Sequence, residues 1–267
     1  MPVSRANGLD IYYEKVGSGP PLVLIHALPY DHNLWLYQVE RFSAHFTTLA
    51  MDLRGLGQSA KPRTPFTLQD MGNDILGVMK DEGIDSGAVV LGCSIGSKLA
   101  LMLACDRPDL FTAAILVGGN SGPQAQFDHR IAAYREHQAN GTLKEYHLGH
   151  LRHGVTKAWA DTPTAQYLMQ GFVERGKALD AESLAQVFGA LTVSDLTPKL
   201  PAYKTPTLIV NGEHDNALKG GTLTASLIRH AEHTIIPGAG HCCFLEDPAA
   251  FATLVQEFLS RNTLWPR

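Results

Sequence analysis

Ala88-Val89-Val90-Leu91-Gly92-Cys93-Ser94-Ile95-Gly96-Ser97 is the stretch on which the fold turns. Its first four residues form an uninterrupted apolar run, as a strand buried on both faces requires. Ile95 to Asp106 has the spacing of a helix, ended by Arg107-Pro108. No loop separates the two elements. A strand that reverses at once into a helix forces a tight turn, and Gly92 and Gly96 remove the side chains that would collide there. Gly92-Cys93-Ser94-Ile95-Gly96 reads G-x-S-x-G, a common pentapeptide made specific by this placement. The turn holds the Ser94 hydroxyl at its apex, beside a helix N-terminus whose amides favour developing negative charge. The bland alternative is a serine N-cap between packing glycines.

Working outward, short apolar runs alternate with helical segments. Strands are expected at Ile11–Val16, Leu22–Ile25, Thr48–Met51, Ala88–Leu91, Ala113–Val117, Thr207–Val210 and Thr234–Ile236. Helices are expected at Asn33–His45, from Thr67 to about Glu82, at Ile95–Asp106, Leu223–His230 and Pro248–Arg261, the last capped by Asp247. Gly17-Ser18-Gly19-Pro20 reads as a hairpin-type turn rather than a phosphate loop. Continuous apolar strands alternating with helices indicate an α/β protein: a mostly parallel, doubly wound sheet covered on both faces. Residues 122–200 break the rhythm, with no apolar strand run and several helical patterns. They are expected to form a helical cap over the sheet's C-terminal edge, leaving 1–121 and 201–267 as the core. The competing reading is a pair of ordinary connecting helices, which the segment's length disfavours.

Composition bounds the function. The 267 residues are 45% hydrophobic and 18% charged, a globular balance. A formal charge of −4 supplies no basic stripe, so a nucleic-acid partner is not expected. The uncharged stretch from Leu110 to Phe127 is broken by glycines and Pro123, so no membrane span is expected. MPVSRANGLD has no apolar signal core, and four cysteines do not make a disulfide scaffold. These features point to a reduced, cytoplasmic protein. A homodimer is an admissible assembly.

A serine hydroxyl is a poor nucleophile until a base takes its proton. His241, in the glycine-rich loop Pro237-Gly238-Ala239-Gly240-His241 after the last apolar run, is the candidate base. Its orienting carboxylate is Asp215, directly after the Thr207–Val210 run, with Glu213 as the competitor by proximity. After the preceding strand, Val117 to Phe127 holds no Asp or Glu, which favours Asp215. The backbone N–H groups of Leu28 and Ile95 are the candidate oxyanion donors. Pro29 has no amide hydrogen and only fixes the backbone there.

The chain resembles an α/β-hydrolase-fold serine hydrolase. The residues carrying the likeness are His26-Ala27-Leu28-Pro29, Asp52-Leu53-Arg54-Gly55-Leu56-Gly57-Gln58-Ser59, the Ser94 elbow, Asp215 and His241, in the family's order. The resemblance implies a Ser94–His241–Asp215 triad, Leu28 and Ile95 amides as the oxyanion hole, and residues 122–200 as a lid. The family usually has His-Gly where this chain has His26-Ala27, and two glycines where it has Gly96-Ser97. Serine at 94 disfavours the relatives that use an aspartate nucleophile. The N-terminal third is similar to 3-oxoadipate enol-lactonases and perhydrolase-like esterases.

The expected partner is therefore a small-molecule ester or lactone, with no cofactor and no metal. His26, Pro29, Tyr134, Trp159 and Phe172 are candidate substrate contacts, and His26 reads more readily as a structural hydrogen-bonder holding its loop than as a second base. The cap's aromatic residues equally suit its own core. Arg130, Arg135 and Arg152 could meet a substrate carboxylate or face water. His147, His150 and His153 fit a solvated or packing face better than a metal site. Cys93, Cys242 and Cys243 are read as packed thiols or as reactive ones. Competing functions are carbon–carbon bond hydrolysis or perhydrolysis on the same triad, and a ligand receptor that keeps the fold. A lyase is disfavoured because Cys242 stands after His241.

Overall fold

The computed structural model describes residues 3–5, 7–124, 127–175 and 179–266. One eight-stranded sheet organises them, in the order β1-β2-β4-β3-β5-β6-β7-β8. The strands are β1 (Val3–Ser4), β2 (Ile11–Val16), β3 (Pro21–Ile25), β4 (Thr47–Met51), β5 (Ala88–Cys93), β6 (Phe111–Val117), β7 (Thr207–Gly212) and β8 (Ala231–Ile236). The β1/β2 and β2/β4 pairs are antiparallel; every later pair is parallel. Cys93 pairs with Val117, and Val117 with Val210, so β5, β6 and β7 end together at one edge.

Strand periodicity divides the core in two. Val23, Ile25, Val90 and Ile209 face one cluster, closed by α2 (Leu68–Asp81) and α3 (Ile95–Asp106). Leu22, Leu24, Leu91 and Val210 face the other, closed by Trp35 and, through Phe42, Phe251 and Phe258, by α1 (Leu36–Phe42) and α11 (Pro248–Arg261). Both faces are therefore covered, as the continuous apolar strands predict. Helix starts follow sequence signals. Thr67 and Asp70 form a reciprocal capping box on α2. Asp247 caps α11, with Pro248 in its first turn.

Three local expectations are corrected. Gly17–Pro20 does not close a hairpin, because β4 lies between β2 and β3 in the sheet. The Asn33–His45 pattern is a 3₁₀ turn, His32–Trp35, followed by a shorter α1. The helix expected at Leu223–His230 is α9 (Leu218–Leu227), displaced toward its N-terminus. The edge strand β1 carries no apolar run and gave no sequence signal.

Between β6 and β7 the described residues include α4 (Asp128–Ala139), α5 (Leu143–Arg152), α6 (Lys157–Ala160), α7 (Pro163–Arg175), α8 (Ala181–Thr192) and a 3₁₀ turn, Thr197–Ala202. This helical insertion is anchored to the sheet. Leu184, Val187 and Phe188 of α8 join the same apolar cluster as Val23 and Val90. The Ser183 hydroxyl donates to the Pro62 carbonyl at 3.0 Å. Among the described residues, no helix is long and apolar enough to cross a membrane.

Candidate active site

Ser94 sits between β5 and α3 with φ +56° and ψ −113°, a backbone conformation side-chain-bearing residues rarely adopt. Its neighbours hold it there. Its N–H donates to the Val117 carbonyl at 2.9 Å, and its own carbonyl accepts from Lys98 N–H at 3.1 Å. Gly96 allows the turn: a Cβ on it would lie 2.0 Å from the Ile25 carbonyl oxygen. That close approach brings the first turn of α3 against the end of β3, where the Leu28 loop begins. Ile95 opens α3, so its N–H is among those a helix leaves without an internal acceptor.

Asp215 and His241 meet on the loops after β7 and β8. His241 Nδ1 lies 2.7 Å from Asp215 Oδ1, and the Asp215 side chain is fully buried. Asp215 is fixed in turn by Ala217 N–H at 2.8 Å and by Asn211 Nδ2 at 2.7 Å. Burial opposes the carboxylate's charge, but the hydrogen bonds and charge of His241 outweigh it and hold Asp215 below the usual range. Burial likewise opposes the imidazolium, yet Asp215 brings the net shift of His241 upward. The competing acid, Glu213, is turned away: it is exposed and accepts from Gly238 N–H at 2.8 Å.

Gly118, directly after β6, lies against both groups. A Cβ there would come 2.5 Å from His241 Cε1 and 3.3 Å from Asp215 Oδ2. Cys93 and Cys242, which adjoin Ser94 and His241, interact through their thiols. The loops carrying Ser94, Asp215 and His241 therefore converge on one end of the sheet. All four cysteines are free. Cys93 is completely buried, and burial pushes its thiol well up, so it is a packed side chain rather than a reactive one.

His26 is corrected as a substrate contact. It is fully buried, accepts from Leu53 N–H through Nε2 at 3.0 Å, and places Nδ1 2.9 Å from the Ala27 carbonyl. It laces the Leu28 loop to the turn after β4. Asp52 adds a second tie, accepting from His32 N–H and meeting His32 Nδ1, both at 2.7 Å. The donor atoms of Asp31, His32 and Asp52 lie within 4.8 Å of one another. These hydrogen bonds make the cluster a loop brace.

The cap candidates divide. Tyr134 is fully buried against Tyr146 and Phe188, and its hydroxyl lies 2.8 Å from His150 Nδ1. It belongs to the cap's own core, which corrects its assignment as a substrate contact. Phe172 meets Tyr30 edge-on and lines a narrow cavity with Pro29, Tyr30, Asp31 and His147. Trp159 is half-buried against the cluster that contains Phe244 and Cys242. Arg135 pairs with Glu182 and Arg152 with Asp161, so neither is held for a ligand. The three cap histidines differ in setting: His147 is buried, His150 is tied to Tyr134, and His153 is exposed.

Sequence reasoning missed the residues that hold this site together. Gly118, Asn211 and Glu246 carry no motif. Only their proximity to strand ends could have marked the first two.

A family profile described as "alpha/beta hydrolase fold" matches residues 20–248. The chain belongs to that family. It is 24% identical to a 3-oxoadipate enol-lactonase 2 of Acinetobacter baylyi, across 96% of this chain and 95% of that protein. The enol-lactonase structure from Burkholderia xenovorans LB400 superposes with a TM-score of 0.88 at 26% identity, covering 97% of this chain and all of the other. A soluble epoxide hydrolase of Corynebacterium sp. is 38% identical over 104 residues, which are 39% of this chain and 36% of that protein.

Proposed function

We propose that this chain is a serine hydrolase cleaving a carboxylic ester or lactone of small to medium, fairly apolar character. The observation that carries the reading is the 2.7 Å contact between His241 Nδ1 and buried Asp215, at the sheet edge where Ser94 occupies a strained elbow. The full-length similarity to enol-lactonases supports the substrate class.

In this mechanism the Ser94 oxygen attacks the acyl carbon as His241 Nε2 takes its proton. Asp215 holds the imidazole with Nε2 free and stabilises the imidazolium. The Leu28 and Ile95 N–H groups receive the developing oxyanion. Collapse of the tetrahedral adduct breaks the bond to the alcohol oxygen, which leaves with the proton from His241. Water then repeats the sequence on the acyl-enzyme, freeing the acid and restoring Ser94.

Steady-state hydrolysis of p-nitrophenyl acetate, butyrate and octanoate tests the reading. Ser94→Ala is expected to lower kcat by about 10³-fold or more. Wild-type turnover that survives this substitution would overturn the assignment.

A further inference from the structure

The chain enters the cap near residue 122 and leaves it near residue 194, and the two passes run side by side. Leu196 N–H donates to the Ser121 carbonyl at 2.8 Å. Beneath them lies Lys98, one turn into the helix that begins after Ser94, with 1% of its surface exposed. Its ammonium donates to the Gly122 carbonyl at 2.7 Å and to the Ser194 carbonyl at 2.6 Å. One buried cation therefore grips both ends of the cap. The same residue's N–H is bonded to the Ser94 carbonyl at 3.1 Å. Burial lowers the ammonium's pKa to about 8, and Asp195, on the outgoing pass, offsets part of that with a favourable charge.

An ammonium buried this deeply is costly unless its donors are engaged. A methionine would fill the space without that cost, but it could hold neither carbonyl. The backbone at the two cap junctions is thus oriented by a charge-assisted contact with the nucleophile's own helix.

We propose that Lys98 is a positioning residue that seats the cap over Ser94 by clasping its two junctions. Its effect on kinetics rests on the reading of Ser94 as nucleophile; the clasp itself does not. Substrate affinity depends on how the cap is seated, whereas the chemical step depends on groups held by the core.

Hydrogen–deuterium exchange and p-nitrophenyl butyrate kinetics on full-length Lys98→Met test this, with Lys98→Arg as the charge-keeping variant. Exchange is expected to rise about tenfold or more in α4–α8 while β5 and β6 keep their protection. KM is expected to rise about tenfold with kcat changed by less than about threefold, and Lys98→Arg should recover part of both effects. Unchanged cap exchange in Lys98→Met overturns the proposal, as does loosening spread evenly through cap and sheet. If Lys98→Met does not fold, wild-type exchange decides. Cap amides opening together at lower cost than the sheet support the clasp, and cap protection equal to that of β5 and β6 overturns it. Cap loosening in an enzyme with no esterase activity would uphold the clasp and reject the proposed function.

Discussion

At the residue scale, the Asp215–His241 pair fixes how activity should depend on pH. On the proposed mechanism, His241 must be neutral to accept the Ser94 proton. Asp215 raises the imidazole above its ordinary 6.5, so His241 stays protonated, and inactive, to a higher pH than a free histidine. The acid limb of kcat/KM is therefore expected above pH 6.5. In Asp215→Asn the raising charge is gone. The limb should move to lower pH while kcat falls by about 10³–10⁴-fold, because the imidazole loses its orienting acceptor. A pH–rate series on both forms reads the two effects separately. An unmoved limb would show that Asp215 does not govern the ionisation seen in turnover.

At the scale of single elements, the junction between strand and loop carries the precision. Gly118 has φ +57° at the end of β6 and faces the imidazole. Gly118→Ala adds left-handed strain of about 1 kcal/mol and pushes a methyl into the His241 ring. A displacement of that kind is expected to lower kcat by about 10²-fold, with the far-ultraviolet circular dichroism preserved. Wild-type kcat in this variant would mean that the ring has room to yield.

Elements of this kind also show what the sequence could convey. The Ala88–Gly96 junction was legible because two strong rules meet there: a buried strand must be apolar, and a sharp turn needs glycine. Asp215 and His241 were legible because they follow apolar runs at strand ends. The extra turn at the start of α9 was not, because Leu218-Lys219-Gly220-Gly221 has poor helix propensity and only packing decides it. The role of His26 was half legible. Its place in the loop was clear, but its donor, Leu53 N–H, comes from the turn after β4, which sequence order does not make a neighbour. Tyr134 failed for a related reason, since an aromatic residue in a cap can serve the cap or the pocket, and periodicity does not distinguish them.

At the scale of the molecule, cap and core meet along a polar seam beside His241. Glu246 in α10 (Cys243–Glu246) accepts from Gly240 N–H at 2.7 Å through one oxygen. Its other oxygen accepts from Thr156 N–H at 3.1 Å and from the Thr156 hydroxyl at 2.5 Å. Cys242 N–H donates to the Gly154 carbonyl at 2.7 Å. One carboxylate thus joins the loop bearing His241 to the helical insertion. Glu246→Gln removes the charge and leaves one of these donors without an acceptor. A loss of about 1–3 kcal/mol in unfolding free energy is expected by urea denaturation. Unaltered stability would show that the seam is only a contact.

The sheet order sets a timetable as well as a shape. The strands on either side of β5 and the elbow itself are synthesised before the cap, whereas β7, β8 and the loop bearing His241 emerge last. Domains generally fold as units, so this sheet is completed only when β7 and β8 have been made. Ser94 is thus synthesised before the two residues proposed to activate it. A chain halted by a premature stop before β7 would carry Ser94 without Asp215 or His241, so on the proposed mechanism errors of synthesis would yield inert fragments rather than unregulated hydrolases.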